Sequence, residues 1–157
     1  MNTTRSKQRA VSRVERLDKT LAQITAICAE KNLPIRAVRG ASATPRLKRC
    51  RNINGHLCHV AIGGQILRGK VILSVRLNIL EQRDFLVVHF LAERFPSSPI
   101  KGHTYIIPKE NILEACDAAL VSVAIRVMID APNTCMVGAT EFDLRDFLNN
   151  WDLLKPK

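Results

Sequence analysis

Asp84-Phe85-Leu86-Val87-Val88-His89-Phe90-Leu91 is the stretch that decides the fold. It is apolar almost throughout, which marks a buried strand. Working outward, Lys70 to Leu77 (Lys-Val-Ile-Leu-Ser-Val-Arg-Leu) is β-branched and half-alternating, a second strand. Leu57 to Ile62 is short and apolar between Asn54-Gly55 and Gly63-Gly64, and Thr104 to Ile107 is closed by Pro108. Turn residues separate each pair, and the gaps are short enough for antiparallel neighbours.

Upstream, Val11, Val14, Leu17, Leu21, Ile24 and Cys28 recur at steps of three or four. That spacing predicts an amphipathic helix over about 8–31, with Arg9, Arg13, Arg16 and Lys19 largely on its other side and Asn32-Leu33-Pro34 as its stop. Downstream of Pro108, residues 109–118 read as helix. Val121, Val123, Ile125, Val127 and Ile129 then alternate strictly, predicting a fifth strand within 119–130. Asp130 to Gly138 reads as a loop around Pro132-Asn133. Phe142, Leu144, Phe147, Leu148, Trp151 and Leu154 lie at helical spacing, predicting a terminal helix over 141–154. The expected class is α+β: a four- to five-stranded mixed, mostly antiparallel sheet, with an N-terminal amphipathic helix and C-terminal helices packed on it. The 157 residues fit a single domain, 1–157, divided into a basic helix and loop (1–51) and a sheet with C-terminal helices (52–157). A chain of this length buries roughly two-thirds of its unfolded surface, so it needs neither disulfides nor a metal to fold.

With 46% hydrophobic and 24% charged residues the chain is neither disordered nor membranous, and no apolar run approaches the roughly 18–20 residues of a membrane span. Five cysteines, an odd count without framework spacing, point to a reducing compartment. The amino terminus has no apolar core of a secretory signal, and Glu15 and Asp18 interrupt the Arg-rich start that a transit peptide would need. A cytoplasmic location is expected.

The distribution of charge carries the functional signal. The formal charge is +10, and residues 1–51 hold 13 Lys and Arg against only Glu15, Asp18 and Glu30, so the whole excess lies in the first third. Such asymmetry marks a polyanion-binding segment on an ordinary globular body. Its densest part is Arg36, Arg39, Arg46, Lys48, Arg49 and Arg51, with no acid among them and with loop character from Gly40 to Pro45. All seven aromatics lie beyond residue 84. Single-strand binders place aromatics in the basic groove for base stacking, so phosphate contact to a duplex is preferred here.

Other motifs are weaker. Cys50, His56, Cys58 and His59 lack the paired spacing of a structural zinc site, and adjacent Cys58 and His59 would point to opposite faces of a strand. His89 and His103 have no Ser or Cys arranged around them as a nucleophile pattern. No glycine-rich phosphate loop is present in the sequence. Residues 21–38 admit a helix-turn-helix, with Cys28 in the small position and Asn32 at the turn, but Gly40 would cut the recognition helix to barely two turns.

The order helix, basic loop and strands, with Asp84-Phe85-Leu86-Val87-Val88, Tyr105-Ile106-Ile107-Pro108 and a late Trp151-Asp152-Leu153-Leu154, resembles the PD-(D/E)XK nucleases over roughly 15–154. The resemblance implies a helix ending in a turn, a strand with a first acid, a second strand with Glu or Gln, one residue, then Lys, and two further strands. The first acid would fall within Arg46–Arg51, where every ionisable side chain is basic, and the triplet near Ala61-Ile62-Gly63, or at Ser74-Val75-Arg76 one strand on. Neither register supplies the carboxylates that a hard divalent cation needs, so the resemblance implies a nuclease-like scaffold without its chemistry.

The expected function is therefore duplex nucleic-acid binding, DNA preferred, without cleavage. Its phosphate contacts are Arg36, Arg39, Arg46, Lys48, Arg49 and Arg51, assisted by Arg9, Arg13 and Arg16. No catalytic residue, metal or cofactor and no membrane partner is expected; self-association is left open. Two alternatives stand beside it. One is an active metal-dependent endonuclease with displaced carboxylates, Glu81, Asp84 or Glu93, in which two carboxylates and a Lys approach one point. The other is a basic module docking on an acidic protein.

Overall fold

The computed structural model describes residues 2–38, 49–61, 65–95, 97–116, 120–131 and 133–156, with the side chains of 2–13 and of Gln65 outside that description. Helix α1 (Asn2–Glu30) follows the apolar stripe, which becomes core from Leu17 onward; Val14 is 53% exposed. The helix stops where Asn32 adopts φ 57° and Leu33 N–H donates to the Cys28 carbonyl at 2.8 Å, before Pro34. No second helix follows. The chain enters β1 (Ile35–Ala37), which removes the helix-turn-helix reading, because Pro34 and the β-branched Ile35 favour extended backbone.

Eleven further elements come next: β2 (Cys50–Ile53), β3 (His56–Ala61), β4 (Gln65–Leu67), β5 (Lys70–Arg76), α2 (Leu77–Leu80), β6 (Phe85–His89), β7 (Thr104–Pro108), α3 (Lys109–Glu114), β8 (Ser122–Met128), β9 (Thr134–Val137) and β10 (Thr140–Asp143). The strands divide between two five-stranded sheets. The first has the order β1-β2-β3-β6-β7, and the second β10-β9-β8-β5-β4. The fold is α+β with an N-terminal helix, as expected, but strands close in sequence are not always neighbours in space. After β3 the chain leaves for the β4–β5 hairpin of the second sheet and returns through α2. Strand β6 therefore lies parallel to β3, since a crossover rather than a tight turn connects them. All other pairings are antiparallel.

Burial explains the division. Val71, Leu73 and Val75 of β5 and Val123, Ile125 and Val127 of β8 face Leu86, Val88, Tyr105 and Ile107 of the first sheet. On the other side of the first sheet, Cys58, Val60, Val87 and Ile106 meet Leu17, Leu21, Ile24 and Cys28 of α1. The layers are helix, sheet, sheet. The central run is apolar throughout because β6 is covered on both faces, whereas β5 and β8 alternate because only one of their faces is covered.

The C-terminal segment departs from expectation. The loop over 130–138 contains β9, and the helix over 141–154 is instead β10 followed by two 3₁₀ turns, Arg145–Phe147 and Trp151–Leu154. Gly138 at φ 60° lets the chain reverse into β10, and Asn149 at φ 49° interrupts any continuous helix. The helical spacing is satisfied in pieces: Phe142 stacks on Phe147 beside the inter-sheet core, while Trp151 and Leu154 fill the core under α1. Residue 51/52, the sequence boundary between basic segment and body, falls inside β2. Among the described residues no helix is long and apolar enough to cross a membrane.

Candidate nucleic-acid interface

Strand directions give the first sheet two distinct ends. β2 and β3 join through Asn54-Gly55, with φ 54° and 91°, the two-residue reversal that this pair favours. Ile35, Ile53, His56 and Phe85 lie at this hairpin end. At the opposite end Ala37 closes β1, Arg49 leads into β2, Ala61 closes β3, His89 closes β6 and Thr104 opens β7. The part of helix α1 from Gln23 to Glu30 runs between the same limits. Its C-terminus meets the hairpin end, where Asn54 N–H donates to the Pro34 carbonyl at 2.7 Å, and Gln23 reaches His89 at the opposite end. A helix rises about 1.5 Å per residue, so Arg16 lies about 10 Å further along the axis than Gln23.

The N-terminal half of α1 and both flanks of the 39–48 connection, Val38 and Arg49, thus share one end of the sheet. Arg16 and Arg49 are both half-buried there. Arg39, Arg46 and Lys48 lie outside the described residues, and Arg9 and Arg13 belong to the described backbone of α1 only. Arg36 and Arg51 are separated by strand alternation. Arg36 is paired with Asn52, on the face shared with Cys50 and His59, whereas Arg51 is paired with Ala37 and Cys58 on the helix face.

A polar clamp fixes the helix to this end. His89 Nε2 donates to Gln23 Oε1 at 2.7 Å, so in the neutral ring Nδ1 accepts from the Thr104 hydroxyl, also at 2.7 Å. Gln23 passes the chain on to Glu93, which also pairs with Lys19. Burial holds the His89 pKa down at about 4, which keeps the ring neutral. Next to the clamp, Arg16 and Arg94 line a small cleft with Thr20, His89 and Phe95, and Arg94 lies 5.6 Å over the Phe95 ring. Burial lowers the Arg94 pKa, and the charge of Arg16 lowers it further. Two like charges are therefore held together at the basic end.

A second basic cluster lies on the sheet face away from α1. Cys50 and His59 are cross-strand partners, 1% and 6% exposed. Burial pushes the Cys50 thiol up against the opposing pull of Arg83 and Arg51. Burial, then Arg49 and Arg83, hold the His59 pKa down at about 4. Arg83 and Arg94 were both missed by reading the basic third, because each lies outside it next to an acid, Asp84 or Glu93, that cancels its charge locally; only the fold brings Arg83 to His59 and Arg94 to Arg16.

The carboxylates named for an enzyme do not gather. Asp84 and Glu93 stand at opposite ends of β6, and Asp84 Oδ2 accepts the Leu57 N–H at 2.8 Å. Glu81 and Lys109 flank the Asp84 turn, but Lys109 Nζ donates to the Glu81 backbone carbonyl at 3.0 Å. Cys58 faces the helix and Cys50 and His59 the other side, and among the described residues no three His, Cys, Asp or Glu are grouped as metal donors. All five cysteines are free thiols.

Comparison of the chain with family models, with curated proteins and with solved structures returns no match.

Proposed function

We propose that this protein binds duplex nucleic acid, preferentially DNA, through phosphate contacts at the basic end of its first sheet, and does not cut it. The observation that carries this reading is the convergence of the N-terminal half of α1 with both flanks of the 39–48 connection. It draws together the two parts of a segment that holds the whole excess charge of the chain. Arginine suits such contacts because its planar fork grips phosphate through two hydrogen bonds.

The nuclease-like scaffold is part of the same proposal. It is supported by the adjacency of the Phe85–His89 and Thr104–Pro108 strands, and by the helix-turn-strand opening. Val60 N–H donates to the Arg49 carbonyl at 2.7 Å, so the two places where the resemblance asks for metal-holding residues are neighbours. The described residues there are Arg49, Cys50 and Arg51 in the first and Ala61 in the second, and Ser74-Val75-Arg76 of the other register lies in β5; none is a carboxylate, which supports binding without hydrolysis. Free, largely buried thiols fit a cytoplasmic setting.

The test is a fluorescence-anisotropy titration with labelled duplex DNA across salt concentrations, magnesium present, followed by a gel. About six engaged phosphates give a log–log salt slope of about −5, and Arg16→Gln or Arg49→Gln each lowers its magnitude by about 0.9. Intact DNA with that slope supports the proposal. Cleavage, or no binding at low salt, overturns it.

A further inference from the structure

We infer that His59, Arg49 and Arg83 form a phosphate pocket on the face of the first sheet turned away from α1, and that its ligand is a backbone phosphate of the bound nucleic acid. This inference rests on the proposed function and gives it a specific contact. Three observations carry it.

First, His59 is 6% exposed, yet its Nδ1 is buried with no hydrogen-bond partner among the described residues, and the same holds for the Nε of Arg83. A buried polar atom without a partner is uncommon in a folded protein and costs the full desolvation of that group. Second, groups from three elements act on this place: Val60 N–H, next to His59, donates to the Arg49 carbonyl at 2.7 Å, and the charges of Arg49 and Arg83 both bear on the buried His59 ring. β3 supplies His59, the residue leading into β2 supplies Arg49, and the turn before β6 supplies Arg83. That turn is locked against the β2–β3 hairpin by the reciprocal pair Asp84 N–H to Leu57 carbonyl at 2.7 Å and Leu57 N–H to Asp84 Oδ2 at 2.8 Å. The Asp84 carboxylate beside Arg83 is thereby engaged with the backbone. Third, His59 stands between Leu86, which belongs to the inter-sheet core, and Cys50, which among the described residues belongs to neither apolar core, so it lies at the margin of the hydrophobic packing.

Burial is the main cause that lowers the basicity of His59, and the charges of Arg49 and Arg83 lower it further. A phosphate there accepts from the guanidinium forks and relieves that repulsion. Arg49 is also the residue at which the chain leaves the 39–48 connection, so the pocket adjoins one flank of the basic end, while Arg83 approaches it from the hairpin side.

The experiment follows the four histidine ring signals by NMR in the full-length protein. Sodium pyrophosphate is titrated against sodium chloride of equal ionic strength, and a 12-base-pair duplex is then titrated in the same way. His59→Asn assigns the His59 signal. The expected result is a saturable His59 shift with both phosphate probes, absent in Arg83→Met and kept in Arg126→Met, since Arg126 lies opposite Ile72 on the outer face of the second sheet. Arg83→Met also weakens duplex binding about tenfold. Should Arg83→Met fail to fold, the wild-type titrations still decide. No saturable His59 shift with pyrophosphate overturns the pocket. A shift with pyrophosphate but not with duplex overturns the assignment of its ligand as nucleic acid and leaves a free phosphate compound. Duplex binding in the anisotropy assay without a His59 shift overturns the pocket while the proposed function stands.

Discussion

Lowering the pH from 8 to 5 is expected to remove a large part of the stability of this fold, through two histidines. His59 and His89 are held at about 4 in the folded protein, against 6.5 for an unburied ring. Both rings stay neutral in the native state across the window from 6.5 down to about 4, while the unfolded chain protonates there. The unfolded state then binds more protons, so stability falls as pH drops. A tenfold difference in proton affinity between the two states corresponds to about 1.4 kcal/mol, and at pH 5 each ring contributes a loss of about 2 kcal/mol relative to pH 8, about 4 kcal/mol together. Burial lowers the His103 pKa as well, which acts in the same direction. Asp143, held low chiefly by its hydrogen bonds with Arg145, acts only at lower pH. A domain stable by about 5–15 kcal/mol loses a substantial fraction, and with an m-value of about 2 kcal/mol per molar the urea midpoint moves down by about 2 M. The assay is urea unfolding at pH 8, 7, 6 and 5, with the native ring signals followed by NMR. His89→Met should be less stable at pH 8, because Thr104 and Gln23 lose their partner, yet should show about half the wild-type pH dependence. A midpoint that stays constant from pH 8 to 5, or a folded-state His59 or His89 that titrates near 6.5, would refute the reasoning.

Three further outcomes are expected. Ile24→Ala removes a fully buried side chain from the layer between α1 and the first sheet and should cost about 2–5 kcal/mol by chemical denaturation. Gly55→Ala meets no atom within 4 Å of the new Cβ, so its cost is conformational alone, about 1–2 kcal/mol from the φ of 91°, measured by the same method. Cys116, half-buried, should alkylate first in the native protein. Cys28 and Cys135, pushed by burial up to about 11 and 12, should react only on unfolding, as peptide mapping after timed labelling would show.

Much of the architecture was legible because local patterns report local burial. The stripe from Leu17 to Cys28 marked the helix, and Asn32-Leu33-Pro34 marked its end. The continuous apolar run at 85–88 and the alternating run at 122–128 marked strands of different coverage. The pattern failed where two short elements share one spacing. Phe142, Phe147, Trp151 and Leu154 read as one helix because side chains docking on different layers happened to recur at helical intervals. β1 and β2 were missed because Arg36, Arg51 and Asn52 give neither apolar alternation nor a run, and those strands exist by pairing with β3.

For the candidate site, composition and order alone determined that the excess charge lies in residues 1–51, and that no carboxylate occurs within 46–51, 61–63 or 74–76. Those are properties of the chain, since charge and residue order do not depend on folding. Only the tertiary structure decided which charges act together. Strand alternation sends Arg36 and Arg51 to opposite faces, and the crossover that makes β6 parallel to β3 brings Arg83 to His59 and Arg94 to Arg16 from outside the basic third. Cross-strand neighbours are set by hydrogen-bond register between segments distant in sequence, and no local pattern encodes that register.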